Sequence, residues 1–563
     1  MTSSRPELGA NKTRRQITLV VVGLALLAVV LLLAFGCGDD RSKAAATQYS
    51  KDWARQDFAA MYKQLSPQAK SAITLDQFVE AQRNGLATAT VRQLKAGKAS
   101  EADNGIVTVP FTVETRAFGT LHLNARIPVQ ENGDNMQIGW DRSMVLPGLA
   151  PGESLTSQTT MPPRASILAA DGTPLAEGPY RSSPIPETAS EIAGQVGTPG
   201  PGIAMTMAAN GYPTGTKVGL TGLERIFQER LAGRPGGTLK AGSRVLARST
   251  AKAMPALRTT IVPSIERAAA SALGGRYGGI AALDPKTGAV LALAGTAFSE
   301  TGPPGSTFKI ITASAGLEAN AVSLSSSFPI ETQTTIGGRA LHNANDESCG
   351  GTLTESFAES CNSVFAPLGV KVGARKLVSM AERYGFNKPM RNIPRAAISS
   401  IPKASEMNEE DLGTAAIGQG QVVASPLEMG TVAATIANSG VRVEPTLAIG
   451  ERAITNRAVS AKIASQIRGL MLAVVNQGTG TSAAITGVKV AGKTGTAEVR
   501  DASSPNYVAG DPSNTDAWFV AFAPAYAPRI AVGVLINGAG AGGETAAPAA
   551  RDVLLAGLQS TGG

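Results

Sequence analysis

The feature that most limits how this chain folds is a run of twenty uncharged, mostly apolar residues at positions 17–36. At 1.5 Å per residue, a helix of this length just crosses a hydrocarbon layer about 30 Å thick. Two arginines precede the run, and two aspartates follow it closely. Because positive charge stays on the cytoplasmic side, we expect residues 1–16 to form a short cytoplasmic tail, residues 17–36 a single transmembrane anchor, and the rest to lie outside.

Cys37 follows this run directly and offers a second way to anchor the chain, through a lipid on the cysteine of a cleaved lipoprotein signal. Such a signal needs small residues before the cysteine, and Phe35 is bulky. We therefore favour an uncleaved anchor over lipidated Cys37. Both interpretations place the working part of the chain outside the cytoplasmic membrane.

The charged and metal-binding residues exclude two classes of protein. Lys and Arg number 51 against 43 Asp and Glu, a formal charge of +8. These basic residues are too dilute for a nucleic-acid-binding face, so we expect no nucleic acid as a partner. His122 and His342 lie far apart, and the chain has no HExxH and no paired CxxC. A zinc site lacks ligands, and we expect no metal and no other cofactor.

Composition divides the exported part into three regions. Residues 44–150 combine a helical pattern with alternating strands, which predicts a small α+β domain. Residues 150–160 are rich in Pro, Gly, Ser and Thr, which predicts a linker. Residues 161–260 mix short strands with loops, and residues 261–563 begin with an Ala-rich helix and a hairpin. The chain is therefore predicted to be a multidomain α+β protein.

Three serine–lysine pairs at SxxK spacing compete as a nucleophile with its base, and they begin at Ser249, Ser306 and Ser400. On a helix, residues three apart share a face, so the amine can reach the hydroxyl. Pro402 disfavours a helix at the third pair, and the first pair has no helix start signal. Before Ser306, Pro-Pro-Gly forces a tight entry, and an apolar helix face follows. Ser306 is therefore the predicted nucleophile, with Lys309 as its base.

Two further motifs follow Ser306 in order. SCN at residues 360–362 lies in a helix-like run over residues 353–368, and KTG at residues 493–495 lies on a predicted strand. An earlier KTG, at residues 286–288, is explained by a hairpin turn. SxxK, SxN and KTG in this order form the signature of penicillin-binding proteins and β-lactamases.

Two nucleotide-binding patterns also occur. Residues 487–494 fit GxxxxGK[ST], but they alternate like a strand, whereas a phosphate loop leads into a helix. Residues 538–543 fit GxGxxG, but too few residues remain for a βαβ unit, which favours a Gly-rich strand-to-helix turn. We expect no nucleotide site at either place.

With these residues in hand, the chain resembles a class B penicillin-binding protein, a peptidoglycan D,D-transpeptidase, over nearly all of residues 44–560. The segments that carry the likeness are PPGSTFK at 303–309, SCN at 360–362, IGQG at 417–420, SPLEM at 425–429 and AGKTGTAE at 491–498.

The resemblance implies a domain order. Residues 44–150 are similar to a MecA-type N-terminal domain, which does not by itself establish β-lactam resistance. Residues 161–260 are similar to the elongated pedestal, or dimerisation, domain, although Ala165 stands where a glycine is usual. Residues 261–563 are similar to the transpeptidase domain, a β-lactamase-like antiparallel sheet flanked by helices.

The resemblance also implies an acyl-enzyme mechanism on peptidoglycan stem peptides that end in D-Ala-D-Ala, with β-lactams as covalent inhibitors. The implied catalytic residues are Ser306 as nucleophile, Lys309 as base and Ser360 as proton relay. Five residues are implied to bind substrate: Asn362, Lys493, Thr494, Gly495 and Thr496. Backbone N–H groups of Ser306 and Thr496 are expected to form the oxyanion hole. Burial and the neighbouring Lys493 should lower the pKa of Lys309 so that it can act as a base.

Other activities share this acylation machinery. A D,D-carboxypeptidase would use water in place of the acceptor amine, and an idle cell-wall scaffold or β-lactam sensor would keep the fold without turnover. A glycosyltransferase, or a division or elongation complex, is the expected class of partner. We favour free thiols over a disulfide for Cys349 and Cys361, solvation over catalysis for His342, and strand core for Trp518.

Overall fold

The structure, a computed structural model, describes residues 40–133, 135–500, 504, 506, 508 and 511–560. The predicted anchor over residues 17–36 and the alternative lipidation site Cys37 lie outside the described residues. Among the residues that are described, no helix is both long enough and apolar enough to cross a bilayer.

The chain forms two compact units. One contains the described residues up to 163, together with 198–217 and 232–254. The other contains residues 164–197 and 218–231 and the chain from 255 onward. The region predicted as a pedestal, residues 161–260, therefore contributes segments to both units.

The N-terminal region is a small helical layer packed on an antiparallel sheet. Its helices are α1 (residues 40–55), α2 (Phe58–Lys63), α3 (Pro67–Ala72) and α4 (Leu75–Thr88), and its strands are β1 (Val91–Ala96), β2 (Ala102–Asp103), β3 (Ile106–Thr115), β4 (Thr120–Asn132) and β5 (Asn135–Ile138). The strand order is β1-β3-β4-β5, with β2 paired to β3. Trp53 packs edge-on against Phe111, with ring centroids 5.4 Å apart, in the core between helices and sheet. The predicted helices followed by strands are confirmed here.

The middle of the chain consists of short elements. They are β6 (Leu155–Thr160), β7 (Ile167–Leu168), β8 (Pro174–Ala176), α5 (Pro186–Ala193), β9 (Val196–Gly197), α6 (Pro201–Ala209), β10 (Val218–Gly219), α7 (Gly222–Ile226), α8 (Gln228–Ala232), β11 (Gly236–Ala241), β12 (Arg244–Ser249) and β13 (Leu257–Arg258). The predicted linker over residues 150–160 is wrong in part, because β6 pairs along its length with β11. A polar strand of this kind forms through a partner far along the chain, which local composition does not reveal.

A buried carboxylate organises the middle segments of the second unit. The side chain of Glu224 is fully buried and pairs with Arg164 at 2.5 Å and with Arg181 at 2.6 Å. Because each charge has a close partner, the cost of burying the carboxylate is offset. This ion triad joins three stretches that are distant in sequence.

The C-terminal region is built on a five-stranded antiparallel sheet of order β15-β14-β24-β23-β22. Its helices are α9 (Pro263–Leu273), α10 (Lys309–Glu318), α11 (Leu353–Ala358), α12 (Asn362–Val372), α13 (Ala374–Tyr384), α14 (Glu409–Ala416), α15 (Pro426–Ala437), α16 (Ala461–Gln477) and α17 (Ala546–Ser560). Its strands are β14 (Gly278–Leu283), β15 (Val290–Gly295), β16 (Ser327–Glu331), β17 (Gln333–Ile336), β18 (Arg339–His342), β19 (Cys349–Thr352), β20 (Val441–Val443), β21 (Thr455–Arg457), β22 (Ala491–Glu498), β23 (Thr515–Ala523) and β24 (Ile530–Ile536).

Strand β23 shows how this sheet is covered on both faces. Phe519 and Ala521 belong to a core with α9 and α17, whereas Trp518 and Val520 belong to a core with α10, α12 and α16. Successive side chains of a strand point to opposite faces, so one fully buried strand supports two cores. Trp518 is a core residue of this strand, as predicted.

The competing sequence motifs fall where the sequence interpretation placed them. Residues 286–288 lie in the turn between β14 and β15, and residues 538–543 lie between β24 and α17. Lys493 sits inside β22 rather than at the start of a helix, so residues 487–494 are not a phosphate loop. Ser249 ends strand β12, and Ser400 forms an isolated bridge, so neither competing SxxK serine lies on a helix.

Glu266 of α9 is a buried carboxylic acid beneath the sheet. Its Oε2 accepts a hydrogen bond from the Leu293 N–H at 2.7 Å, and its Oε1 finds no partner among the described residues. Burial raises the pKa of this carboxyl from 4.5 to about 7. The folded state therefore holds a proton that the unfolded chain releases at lower pH.

We predict that Glu266→Gln removes a pH-dependent loss of stability. Since the folded pKa is raised, the full stability is present below the ordinary pKa and falls as the pH rises through about 7. At pH 8 the wild type should carry a penalty of about 3 kcal/mol that the always neutral amide avoids. Thermal melting at pH 5 and pH 8 measures this, with exposed Glu80→Gln as the control. A Glu266→Gln variant that loses as much stability at pH 8 as the wild type would contradict the prediction.

Candidate active site

Ser306 lies at the entry to α10, in a single 3₁₀ turn over Gly305–Phe308. Gly305 has φ +51, and its N–H donates to the Gly418 carbonyl at 2.9 Å. The predicted helix begins one turn later than expected, at Lys309. Because a 3₁₀ turn has three residues, positions 306 and 309 still share one side of the chain.

Lys309 is fully buried and lies three residues after Ser306. Its amine donates to the Ser360 carbonyl at 2.5 Å and to Asn362 Oδ1 at 2.7 Å, and it lies 5.6 Å from the ring centroid of Phe365. The Asn362 Nδ2 donates to the His342 carbonyl at 2.7 Å, which turns Oδ1 toward the lysine. Three residues therefore hold one amine in place.

Ser360 stands at a break that the sequence interpretation did not foresee. The predicted helix-like run over residues 353–368 is two helices, α11 and α12, and Ser360 lies between them with φ +66. Left-handed backbone at a residue other than glycine costs on the order of 1–3 kcal/mol and is kept where surrounding contacts hold it. The contact here is the hydrogen bond from Lys309 to the Ser360 carbonyl, together with a second lysine on its hydroxyl.

That second lysine is Lys493 on the edge strand β22. Its amine donates to Ser360 Oγ at 2.8 Å and lies 5.5 Å from the centroid of the Phe357 ring. Burial lowers the pKa of Lys493 to about 7. Burial holds the pKa of Lys309 well below its usual range, and repulsion from Lys493 makes a smaller contribution in the same direction. The sequence interpretation expected a shift in this direction.

The remaining residues of strand β22 point in two directions. Thr494 and Thr496 line a cleft of about 490 Å³ together with Ser306, Ser360 and Asn362. Gly495 does not line it, because a Cβ there would lie 2.8 Å from the Pro304 carbonyl oxygen. The structure thus brings seven of the eight predicted site residues together. Gly495 has a packing role, because it allows β22 to approach the turn that carries Ser306.

Sequence reasoning missed three contributors to this site. Thr479 places its hydroxyl 2.6 Å from that of Thr494, at the wall of the cleft. Phe357 and Phe365 pack edge to face, with centroids 5.7 Å apart, and lie under the two amines. Their spacing matches an ordinary apolar helix face, so only the folded structure distinguishes them from core residues.

Cys349 and Cys361 form a disulfide, with 5.7 Å between their Cα atoms. The preference for free thiols was wrong, because β19 lies beside the start of α12, and the spacing of twelve residues does not by itself predict that geometry. Cys361 stands between Ser360 and Asn362, so the bridge joins the site to β19. His342 is exposed and lies 2.7 Å from Asp346, in agreement with the predicted solvation.

Two family models match the chain. The penicillin binding protein transpeptidase domain matches residues 278–555, and the NTF2-like N-terminal transpeptidase domain matches residues 41–153. The peptidoglycan D,D-transpeptidase PbpA of Mycolicibacterium smegmatis is 33% identical over 406 residues, which are 60% of this chain and 77% of that protein. Its namesake from Mycobacterium tuberculosis is 35% identical over 370 residues, 54% of this chain and 72% of the relative.

The chain belongs to the penicillin-binding protein transpeptidase family. Solved structures agree with this assignment. The crystal structure of PBPA from Mycobacterium tuberculosis has a TM-score of 0.55 and 28% identity, covering 70% of this chain and 99% of that one. The penicillin G acyl-enzyme complex of penicillin-binding protein A has a TM-score of 0.56 and 27% identity, covering 70% of this chain and 100% of that one.

The disulfide of this penicillin-binding protein should support both stability and acylation. We predict that Cys349→Ala/Cys361→Ala lowers the free energy of unfolding by about 3 kcal/mol, the loop-closure value for a short loop. It should also slow labelling by a fluorescent penicillin about tenfold, because Ser360 and Asn362 lose a fixed neighbour.

Labelling rates and thermal melting of the double variant check this, with Cys37→Ala as the matched control that removes the third cysteine. Labelling of the double variant at the wild-type rate would show that the bridge does not hold the site in place.

Proposed function

We propose that this protein is a peptidoglycan D,D-transpeptidase that cross-links stem peptides through an acyl-enzyme on Ser306. The observation that carries the proposal is the convergence of two buried lysine amines on Ser360, beside a serine that faces the cleft. The D,D-transpeptidase relatives and the penicillin G acyl-enzyme neighbour support the same reaction class.

Acylation begins with proton transfer from Ser306. Burial and the neighbouring Lys493 lower the pKa of Lys309, which favours the neutral amine that a base needs. Two N–H bonds of that amine are used by the Ser360 carbonyl and Asn362 Oδ1, which leaves the lone pair for the Ser306 proton. The Ser306 oxygen then attacks the carbonyl of the penultimate D-Ala.

The leaving D-Ala nitrogen needs a proton when the peptide bond breaks. Ser360 Oγ lies 3.4 Å from the Lys309 amine and 2.8 Å from the Lys493 amine. Ser360 can donate its own hydroxyl proton to the leaving nitrogen and recover one from protonated Lys309. The acyl bond to Ser306 forms, the peptide bond breaks, and terminal D-Ala departs as a neutral amine.

Substrate binding follows from the cleft wall. We assign the terminal carboxylate to Lys493, Thr494 and the neighbouring Thr479 hydroxyl, and the substrate amide to Asn362. The N–H groups of Ser306 and Thr496 serve as the oxyanion hole, since the nucleophile's turn and β22 lie against each other at Gly305 and Gly495. An amine from a neighbouring stem peptide resolves the acyl-enzyme and forms the cross-link.

The arrangement of the whole chain is part of this proposal. Residues 17–36 act as a single transmembrane anchor that places the working part outside the bacterial cell membrane. Along the sequence, a MecA-type domain, 44–150, is followed by the pedestal domain, 161–260, and by a transpeptidase domain, 261–563. The uncharged apolar run and the order of the matched domains support this arrangement.

We predict that a fluorescent penicillin labels the wild type and does not label Ser306→Ala. Ser249→Ala is the matched control, since it removes the serine of a competing SxxK pair and should label fully. Equal labelling of Ser306→Ala and wild type would reject the nucleophile, and no labelling of either would favour an idle scaffold.

The same proteins should then be incubated with stem peptides that end in D-Ala-D-Ala and an acceptor amine. The wild type should produce dimeric muropeptide, and Ser306→Ala none. A wild type that only trims terminal D-Ala would instead be a D,D-carboxypeptidase.

The lowered pKa of Lys493 sets a pH limit on binding of carboxylate ligands. Its ammonium charge is present below about pH 7 and is lost as the pH rises through that value. The second-order rate of penicillin acylation should therefore fall about tenfold between pH 7 and pH 8.5. Lys493→Arg stays charged over this range and should react more slowly at pH 6 but lose the fall. A wild-type rate that stays constant up to pH 9 would remove Lys493 from carboxylate binding.

A further inference from the structure

The second unit carries a basic groove, of about 440 Å³, that is separate from the Ser306 cleft and shares none of its lining residues. One wall is residues 225–230, from α7 and α8, and the other comes from residues 391–395 and 451–452. Five of the residues that line this groove are arginines: Arg225, Arg230, Arg391, Arg395 and Arg452.

The arginines of the basic groove are poorly compensated. Arg391 lies 3.4 Å from Glu444, a carboxylate that also accepts the Arg391 N–H. The other four guanidinium groups have no ion-pair or hydrogen-bond partner among the described residues. Two carboxylates line the groove, Glu229 and Glu451, and the second already accepts a hydrogen bond from Thr446 at 2.6 Å.

Elsewhere in the same unit, three mostly buried arginines each have a carboxylate partner. Arg164 and Arg181 share the buried Glu224, and Arg442 pairs with the buried Glu428 at 3.2 Å. Like charges gathered without such a partner repel one another and destabilise the fold. An external anion bound in the basic groove would therefore reduce the repulsion between its arginine side chains.

An unused hydrogen-bond donor lies in the same wall. Gln228 lines the groove, and its Oε1 accepts the Gly219 N–H at 2.8 Å. That bond fixes the amide, and its Nε2 is left buried without an acceptor among the described residues. The wall of the groove therefore contains a hydrogen-bond donor that the described residues leave unused.

We propose that the basic groove binds a phosphate-bearing polyanion, through a diphosphate or two neighbouring phosphodiester groups. Guanidinium groups present planar, forked donors that match phosphate oxygens, and four of them remain available. The volume exceeds that of a single phosphate, and two walls supply donors from opposite sides. Two sources on the outer side of a membrane carry such phosphate groups. One is the headgroup of an anionic lipid, and the other is a phosphodiester polymer.

The test measures binding of inorganic pyrophosphate to the full chain by calorimetry at low and high salt. Saturable binding that Arg225→Gln/Arg395→Gln weakens about tenfold is expected. Arg83→Gln/Arg92→Gln, which removes the same charge from exposed positions of the other unit, is the matched control and should bind like the wild type. Fluorescent penicillin labelling at the wild-type rate shows that each variant is folded.

Absence of saturable pyrophosphate binding, or equal weakening in the control variant, would overturn the proposal. Tighter binding of polyglutamate than of pyrophosphate would overturn the assignment to phosphate. Competition against pyrophosphate distinguishes the two sources. Stronger competition by a water-soluble short-chain cardiolipin, whose headgroup carries two phosphodiester groups, supports the lipid headgroup, and stronger competition by poly(glycerol phosphate) supports the polymer.

Discussion

The site depends on two buried lysine amines, those of Lys309 and Lys493, which both donate hydrogen bonds to Ser360. An isolated ammonium in a protein interior costs on the order of several kcal/mol, and two of them also repel each other. The protein meets this cost in two ways. Each amine lies over an aromatic ring and donates to fixed oxygens, and each has a lowered pKa, so the pair can hold fewer protons than two exposed lysines would. The same burial lowers the pKa of Lys309, which its proposed role as a base requires.

Ser360 can join the two amines only because the chain breaks there. Its left-handed backbone points the carbonyl at Lys309 and the hydroxyl at Lys493, and a continuous helix over residues 353–368 could not do both. The neighbouring disulfide and the start of α12 support this geometry from one side. Strained backbone held by many contacts is a recurring property of active sites, and this break is an instance of it.

Much of the candidate site was predictable because its residues occur in short, local sequence motifs. Three local patterns identified its residues: Pro-Pro-Gly before Ser306, a lysine three residues after that serine, and a KTG on a strand. The other two SxxK pairs were excluded locally as well, because Pro402 disfavours a helix at Ser400 and no helix start signal precedes Ser249. The break at Ser360 was not predictable, since residues 353–368 contain no glycine and proline only at 367. The strand β6 and the Cys349–Cys361 bridge were missed for a related reason, because each needs a partner that local composition does not indicate.

Sequence by itself determined the identity and order of the candidate site residues, since Ser306, Lys309 and Lys493 stand out by residue type and by spacing within single turns or strands. It also determined the alternation that makes β22 and β23 strands of one sheet. The tertiary structure alone decided which side each group faces and that Gly495 packs against the turn that carries Ser306 instead of lining the cleft. It also decided that Ser360 lies between two amines that are far apart in sequence. The physical reason is range. Propensity and periodicity act over a few residues, whereas burial, pKa and convergence depend on neighbours that are distant in sequence, 51 residues apart for Lys309 and Ser360 and 133 for Lys493 and Ser360.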